Sequence, residues 1–293
     1  EKSGESGFFA NYNRNKKGVT LNLKTEKGLQ MLYDLVKDAD FLCENFKGGV
    51  TQKLKVDYET IKKINPKIIY VSGSGFGKTS PIGHRPCYDI VAQSMGGMVN
   101  LTGVKVGPSV ADHVSGIYQF VGAMIALYHR EKTGEGQMVD VSMVDTIFSL
   151  LENSIPHYVM HGVIPERNGN ADPSIAPFDI YPCKDGFVAL GVGNERLWEK
   201  FCNLIGHTEL LENPLYATND LRCQNYIPDL QNLIRDWVKD YTKQEIETMM
   251  DEVAIPCGPV LNMKEAIEHP HIKAREMLVH TPTPHPLLGD MPV

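Results

Sequence analysis

The chain has 293 residues, of which 42% are hydrophobic and 22% are charged. These proportions are those of a folded globular protein, and the length predicts two domains rather than one small binding module. The 29 Lys and Arg residues against 36 Asp and Glu residues give a net charge of −7, which argues against broad binding to nucleic acids or to membranes.

The first quarter of the chain alternates between the two-residue period of strands and the 3.6-residue period of helices. Thr25 is a favoured helix cap, and Leu29, Leu32 and Val36 would share one face of the helix after it. Strands are predicted at 19–23, 41–43 and 68–72, with a second helix at 58–64. Strands that alternate with helices indicate an α/β fold.

The segment S-G-S-G-F-G-K-T at 72–79 ends in Gly-Lys-Thr, as nucleotide-binding P-loops do. Two features argue against a P-loop. Ser72 stands where the pattern requires its first glycine, and Pro81 and Pro86 oppose the helix whose N-terminus would hold phosphate. We interpret the segment as a glycine-rich turn after a strand, which is a place where α/β proteins bind ligands.

A long apolar helix is predicted at 112–130, closed by the turn at Gly134. Its weakly charged part at 114–127 is too short to span a bilayer, so we expect a buried helix. Small residues in it indicate close packing against another backbone: Gly116, Gly122, Ala123 and Ala126.

Asp112 would begin this helix, where free N–H groups and the positive end of the helix dipole favour a carboxylate. The spacing alone favours an ordinary N-cap over a catalytic role. His113 could act as a general base, but no nucleophile motif such as G-x-S-x-G accompanies it.

A basic stretch follows the second predicted strand. Asn45-Phe46-Lys47-Gly48-Gly49 could offer N–H groups and a cation to a ligand, and further lysines stand at 53, 55, 62, 63 and 67. A phosphate-binding role and an ordinary solvated helix face explain these lysines equally well.

The second half of the chain changes character after a further predicted strand at 138–142. A turn-rich linker begins at Pro165, Asp185-Gly186 predicts a β-hairpin, and Thr242-Lys-Gln-Glu245 predicts a capping box. We therefore expect a smaller α+β domain at roughly 170–268, with 256–259 and 269–270 marking its exit.

The six cysteines are far apart and include no C-x-x-C pair, and no His stands at zinc-ligand spacing. We therefore expect reduced thiols, a cytoplasmic location and no structural metal. The chain lacks an initiator Met and stops in the loop-like run PLLGDMPV, so we also expect it to be a fragment.

Seven ordered sequence blocks are spread over nearly the whole length of the chain. They are NRNKKGVTLNLK at 13–24, ENFKGGV at 44–50, INPKIIYVSGSGFG at 64–77, RPCYDIVAQ at 85–93, ADHVSG at 111–116, REKTGEGQMVDVSM at 130–143 and HPHIKAREML at 269–278. Together they resemble the family III CoA-transferases, also called the CaiB/BaiF family.

The resemblance implies a Rossmann-like large domain with a smaller α+β domain, in two subunits that interlace like linked rings. It places a large CoA-binding domain at 1–165, a small domain at 166–268 and the start of a segment returning to the large domain at 269–293. The family's first strand and CoA-binding loop would precede residue 1, so we expect the chain by itself to bind CoA weakly.

The resemblance also implies roles for single residues. Asp112 matches the family's catalytic aspartate, which replaces the cap interpretation. Six further residues match positions at the CoA or in the loop near the active site: Asn45, Phe46, Lys53, Leu54, Arg85 and Tyr88. The implied substrates are an acyl-CoA and a carboxylic acid, and the chemistry requires no metal.

The activity implied is transfer of coenzyme A from an acyl-CoA to a free carboxylic acid through an aspartyl intermediate. One alternative is an α-methylacyl-CoA racemase, although Tyr88-Asp89 stands where that pattern has His-Asp. A second alternative is a P-loop nucleotide-binding protein. A third is a non-catalytic CoA-binding relative, and the presence of Asp112 disfavours this third alternative. Formyl-CoA:oxalate enzymes carry a run of glycines where this chain has 168–174, so oxalate is the less favoured acid.

Overall fold

The computed structural model describes residues 6–278, 280–282 and 290–292. It divides into two compact units: residues 18–169, here called the parallel-sheet unit, and the described residues of 1–17 and 170–293, called the antiparallel-sheet unit. The division follows Gly169, within the predicted turn-rich linker. The functional domains assigned to 1–165, 166–268 and 269–293 stay predictions.

Helix α1 (Gly7–Tyr12) belongs to the antiparallel-sheet unit. The parallel-sheet unit consists of α2 (Glu26–Lys37), β1 (Phe41–Glu44), α3 (Val50–Lys53), α4 (Tyr58–Ile64), β2 (Ile69–Ser74), α5 (Asp89–Met95), α6 (Met98–Thr102), α7 (Val110–Thr133), β3 (Met138–Ser142), α8 (Met143–Ser149) and α9 (Ser154–His161). Its strands pair in parallel in the order β1-β2-β3, with Val71 opposite both Cys43 and Val139.

Helices cover both faces of this sheet. On one face, Val36 of α2 and Ile61 of α4 cluster with Tyr70. On the other face, Ala123 and Ala126 of α7 pack against the sheet. Every residue of β2 is buried, as expected for the central strand of a covered parallel sheet. The predicted α/β architecture is therefore confirmed, as is the Thr25 cap, whose hydroxyl accepts from the N–H of Gly28 at 3.1 Å.

The first predicted strand is wrong. Residues 18–24 contain no strand, and Val19 is 69% exposed. The alternating sequence satisfies the strand period, but a strand also needs a neighbour for its N–H and C=O groups. Within the described residues, β1 pairs only with β2.

Helix α7 is confirmed, with Gly134 closing it in the left-handed conformation, but it begins two residues earlier than predicted. The close approach is to the sheet: a Cβ on Gly122 would lie 2.6 Å from Val139 Cγ1, whereas Gly116 faces open space. By length and composition alone this helix could cross a membrane, and 22% of its most apolar window is buried. The prediction that the helix is buried is therefore wrong for the chain by itself.

The antiparallel-sheet unit continues with β4 (Phe178–Cys183), β5 (Gly186–Gly191), α10 (Glu195–Ile205), a 3₁₀ turn (Thr208–Leu211), α11 (Asn219–Gln224), a kinked segment (Tyr226–Leu230), α12 (Gln231–Val238), α13 (Lys243–Glu252), β6 (Cys257–Pro259), α14 (Met263–Glu268), α15 (Pro270–Ala274), β7 (His280–Pro282) and β8 (Asp290–Pro292). The hairpin at Asp185-Gly186 and the capping box of α13 are confirmed. Strand β6 pairs with β5, so 257–259 lies inside this sheet rather than at the exit of the unit.

Candidate active site

The carboxyl ends of the parallel strands meet around Glu44, whose side chain is almost fully buried. Its Oε1 accepts from Ser72 Oγ at 2.6 Å and lies 3.0 Å from Lys78 Nζ, while its Oε2 accepts from the N–H of Phe46 at 2.8 Å. The N–H of Lys78 donates to Asp140 Oδ2 at 2.7 Å. One buried carboxylate therefore fixes the start of the loop after β1 to the turn after β2.

These contacts also explain why the G-F-G-K-T turn differs from a P-loop. No helix begins between the end of β2 at Ser74 and the start of α5 at Asp89. A P-loop needs a helix N-terminus directed at phosphate, with a lysine left to reach it. Here the ammonium of Lys78 forms an ion pair with Glu44 instead.

The loop after β1 also touches the loop that carries Arg85. The N–H of Gly48 donates to the carbonyl of Gly83 at 3.1 Å, and a Cβ on Gly48 would lie 2.7 Å from that oxygen. Arg85 is exposed, with its guanidinium carbon 5.9 Å from the ring centre of Phe76. The structure thus brings the Asn45-Phe46 loop and the Arg85 loop together.

The loop that carries Arg85 ends at Tyr88, and α5, which follows it, contacts the first turn of α7, where Asp112 lies. A Cβ at Gly75, directly after β2, would overlap Cys87. Tyr88 follows at the N-cap of α5, with 81% of its surface exposed. Asp89 Oδ1 then accepts from the N–H of Ala111 at 2.9 Å, which joins α5 to the first turn of α7.

Asp112 is the third residue of α7, and Ser109 is the N-cap, so the interpretation of Asp112 as the cap is wrong. Its carboxylate is exposed and accepts no hydrogen bond from the described residues. Burial by the surrounding protein raises the pKa of Asp112, and Asp89 raises it further, while His113 and Lys105 lower it. The result is a carboxylate that is more basic than an ordinary aspartate and accessible from solvent.

The neighbouring histidine is engaged with the backbone. Nδ1 of His113 lies 2.6 Å from the carbonyl oxygen of Ser109. A carbonyl only accepts hydrogen bonds, so Nδ1 is the donor. The Nδ1 proton therefore holds the imidazole to its own helix.

Lys53 and Leu54 lie at the end of α3, on another part of this edge. No hydrogen bond or ion pair among the described residues links either side chain to Asp112. Helix α3 borders a cavity of about 170 Å³ whose lining includes Thr51, Tyr70 and Lys78. A larger cavity of about 480 Å³ lies at the opposite, amino end of the strands, beside Asp40 and Arg130, and contains none of the predicted site residues.

Sequence reasoning missed four polar residues that shape this site: Glu44, Lys78, Gln93 and Lys105. Some of their partners are distant in sequence: Asp140 lies 62 positions after Lys78, and Ser72 lies 28 positions after Glu44. The sequence offers only weak indications of these roles: Glu44 is a charged residue at the end of β1, and Lys105 is a lysine shortly before α7. No group of three or more potential metal ligands is present in the described ranges.

Comparison with known proteins gives a consistent result. The family model for CoA-transferase family III matches residues 1–293. The acetyl-CoA:oxalate CoA-transferase of Acetobacter aceti is 36% identical over 94% of this chain and 72% of its own length. The succinyl-CoA:mesaconate CoA-transferase of Haloarcula marismortui is 35% identical over 95% of this chain and 72% of its own length.

A solved structure agrees with these sequence relatives. A CaiB/BaiF family protein from Brucella suis is 33% identical and superposes with a TM-score of 0.79, covering 95% of this chain and 77% of that one. The match therefore includes both the sequence and the fold, over nearly all of the chain. The chain belongs to family III of the CoA-transferases.

Proposed function

We propose that the protein transfers coenzyme A from an acyl-CoA thioester to a free carboxylic acid through covalent intermediates on Asp112. The observation that carries this proposal is the Asp112 carboxylate itself. It lies in the first turn of α7, accessible from solvent and without a hydrogen bond from the described residues. Its raised pKa makes it a stronger nucleophile than an ordinary aspartate while it is ionised.

The reaction proceeds by four acyl transfers. The Asp112 carboxylate attacks the donor thioester, which gives an aspartyl-acyl anhydride and the CoA thiolate. The thiolate attacks the aspartyl carbonyl, which gives an aspartyl-CoA thioester and releases the donor acid. The acceptor carboxylate attacks this thioester, which forms a second anhydride and frees the thiolate again. The thiolate then attacks the acceptor's carbonyl, which yields the new acyl-CoA and restores Asp112.

Each step passes through an oxyanion that N–H groups can stabilise. In the first turn of α7, the N–H groups of Val110, Ala111 and His113 already donate to acceptors. The N–H of Asp112 has no acceptor among the described residues. We therefore assign it, with the positive end of the helix dipole, to the developing charge.

The CoA would lie along the carboxyl edge of a Rossmann-like large domain that includes the parallel sheet. The six residues proposed to contact it are Asn45, Phe46, Lys53, Leu54, Arg85 and Tyr88. Two cations and two aromatic rings in this set suit a ligand with phosphates, an adenine ring and an amide-rich arm. The large domain at 1–165, the small domain at 166–268 and the returning segment at 269–293 are part of this proposal.

The acceptor is proposed to be a small dicarboxylic acid. The two relatives described above are named for oxalate and mesaconate, which both carry two carboxylates. This chain has N-G-N-A-D-P-S at 168–174 in place of a glycine run, so the longer acid is favoured over oxalate.

The enzyme is proposed to work as an interlaced homodimer in the cytoplasm. The support for a dimer is the exposed apolar face of α7, where Phe120, Ile125 and Tyr128 are each more than 60% exposed. Such a face is unfavourable in water and is typical of an interface. Sedimentation equilibrium of the purified enzyme should give twice the subunit mass, and a monomer at micromolar concentration would overturn the dimer.

The nucleophile is tested by trapping. Purified enzyme incubated with succinyl-CoA and then with hydroxylamine should carry a hydroxamate at Asp112, found by peptide mass spectrometry. Asp112→Asn should lose CoA exchange onto mesaconate and form no adduct, because a carboxamide is a poor nucleophile. The matched control is Asp140→Asn, a carboxylate at the same sheet edge, which should still form the Asp112 adduct.

The racemase alternative is tested with a second substrate. A racemase needs a base at the position of Tyr88, and a phenol is a poor base for this proton transfer at neutral pH. We therefore expect no deuterium uptake next to the thioester of a 2-methylacyl-CoA in deuterated water. Deuterium uptake without CoA exchange would overturn the proposed transferase activity and favour the racemase.

A further inference from the structure

The segment that leads into α7 is held by three side chains that the reaction itself does not use. They are Asp89 and Gln93 of α5 and Lys105 of the connecting loop, here called the brace. Asp89 is 5% exposed and Gln93 is fully buried. Asp89 Oδ2 accepts from Gln93 Nε2 at 2.8 Å and lies 3.1 Å from Lys105 Nζ. A buried carboxylate is thus paired with a lysine and an amide.

The brace holds the loop at two points. Lys105 Nζ donates to the carbonyls of Val106 at 2.7 Å, Gly107 at 2.9 Å and Pro108 at 3.3 Å. Gln93 Oε1 accepts from the N–H of Val106 at 2.9 Å. The ammonium therefore has four oxygen acceptors for three protons, including Asp89, which leaves no proton for a substrate.

The brace also reaches into the helix. Asp89 Oδ1 accepts from the N–H of Ala111 at 2.9 Å, although the N-cap Ser109 makes no side-chain cap bond. A carboxylate from another helix thus satisfies one of the open N–H groups of α7. Asp112 follows Ala111 directly, so its backbone position depends on this bond.

We propose that Lys105 is a positioning residue for the nucleophile Asp112: by pairing with Asp89 and gathering the carbonyls of 106–108, it fixes the first turn of α7 where the Asp112 carboxylate meets the acyl carbon. This inference rests on the proposed function. Lys105 acts through Asp89 and the loop, without touching the substrate.

The charged groups around Asp112 make this positioning role measurable through the pKa of Asp112. The groups that act on it electrostatically are Asp89, His113 and Lys105, and the Cys87 thiol faces it. Asp89 raises the pKa of Asp112 and Lys105 lowers it. Removing the charge of Lys105 should therefore raise the pKa of Asp112, and removing the charge of Asp89 should lower it. Loss of packing alone would not produce two opposite shifts.

The test compares Lys105→Met, Lys105→Arg and Asp89→Asn. Lys105→Met should lower kcat for CoA exchange at least about 10-fold with KM for acyl-CoA changed less than about 2-fold, because misplacement affects the transition state more than binding. Lys105→Arg should recover part of the loss. The acid limb of kcat/KM should move to higher pH in Lys105→Met and to lower pH in Asp89→Asn.

The matched control is Lys37→Met, which breaks an exposed ion pair of 2.8 Å with Asp34 on α2. It should leave kcat and the acid limb unchanged. Amide hydrogen exchange supplies a readout without catalysis: peptides covering 106–114 should exchange faster in Lys105→Met than in Lys37→Met. If Lys105→Met fails to fold, the acid limb of Asp89→Asn and the partial kcat of Lys105→Arg decide the question.

The outcomes separate the two proposals. If the hydroxamate forms on Asp112 but the Lys105 and Asp89 variants keep the wild-type kcat and acid limb, the brace is overturned and the nucleophile stands. If no adduct forms on Asp112 in the wild-type enzyme, the proposed mechanism fails and the brace fails with it.

Discussion

Two helix starts in this protein carry a carboxylate at the same position and use it in opposite ways. In α13, Glu245 is the third residue, and its Oε2 accepts from the N–H of the cap Thr242 at 2.8 Å. In α7, Asp112 is also the third residue, but its carboxylate accepts no hydrogen bond within the described part of the chain. Identical placement along a helix therefore does not decide what a carboxylate does.

The pKa shifts of the two groups follow from this difference. The hydrogen bond to the cap N–H lowers the pKa of Glu245, since it stabilises the charged form. Burial and the nearby Asp89 raise the pKa of Asp112, since both disfavour the charged form. The carboxylate of α13 stabilises its own helix start, whereas that of α7 is exposed to solvent and accepts no hydrogen bond from the described residues.

The largest expected difference between the two carboxylates is the effect on kcat of changing the length of each side chain by one methylene. Asp112→Glu adds one methylene and displaces the reacting carboxylate by about 1 Å or more, so kcat should fall about 100-fold or more. Glu245→Asp shortens a capping side chain in the antiparallel-sheet unit and should leave kcat within about 2-fold. Steady-state CoA exchange with succinyl-CoA and mesaconate measures both. Similar kcat values for Asp112→Glu and wild type would mean that the position of this carboxylate is not critical.

The sequence predicts one of these two helix starts and misplaces the other. The capping box of α13 is local, because all of its bonds join Thr242 and Glu245. The start of α7 is held by Asp89, 22 residues before Ala111. A pattern of neighbouring residues does not register such a contact, and Asp is a favoured cap residue, so the pattern places the helix start at Asp112.

The difference between local and long-range contacts also explains which other elements the sequence predicts correctly. The apolar run of β2 and the hairpin at Asp185-Gly186 follow from local patterns and were predicted. The stretch at 19–23 has a strand pattern but pairs with no strand among the described residues, which sequence alone does not reveal. The role of Asp112 stays a prediction from family resemblance, and its environment, including Asp89 and Lys105, required the structure.

Removing the N-cap side chains of α13 and α7 should have smaller effects, and these effects should differ between the two helices. The hydroxyl of Thr242 accepts from the N–H of Glu245 at 3.3 Å, so Thr242→Ala should cost about 1 kcal/mol in the free energy of unfolding. Ser109 makes no side-chain cap bond, and Asp89 already holds the N–H of Ala111. Ser109→Ala should therefore change the free energy of unfolding by less than about 0.5 kcal/mol. Urea denaturation of the two variants, followed by hydrogen exchange in α7 and α13 separately, measures both effects. An equal cost for the two substitutions would mean that α7 depends on its own cap, and that Asp89 contributes less to the start of this helix than its hydrogen bond indicates.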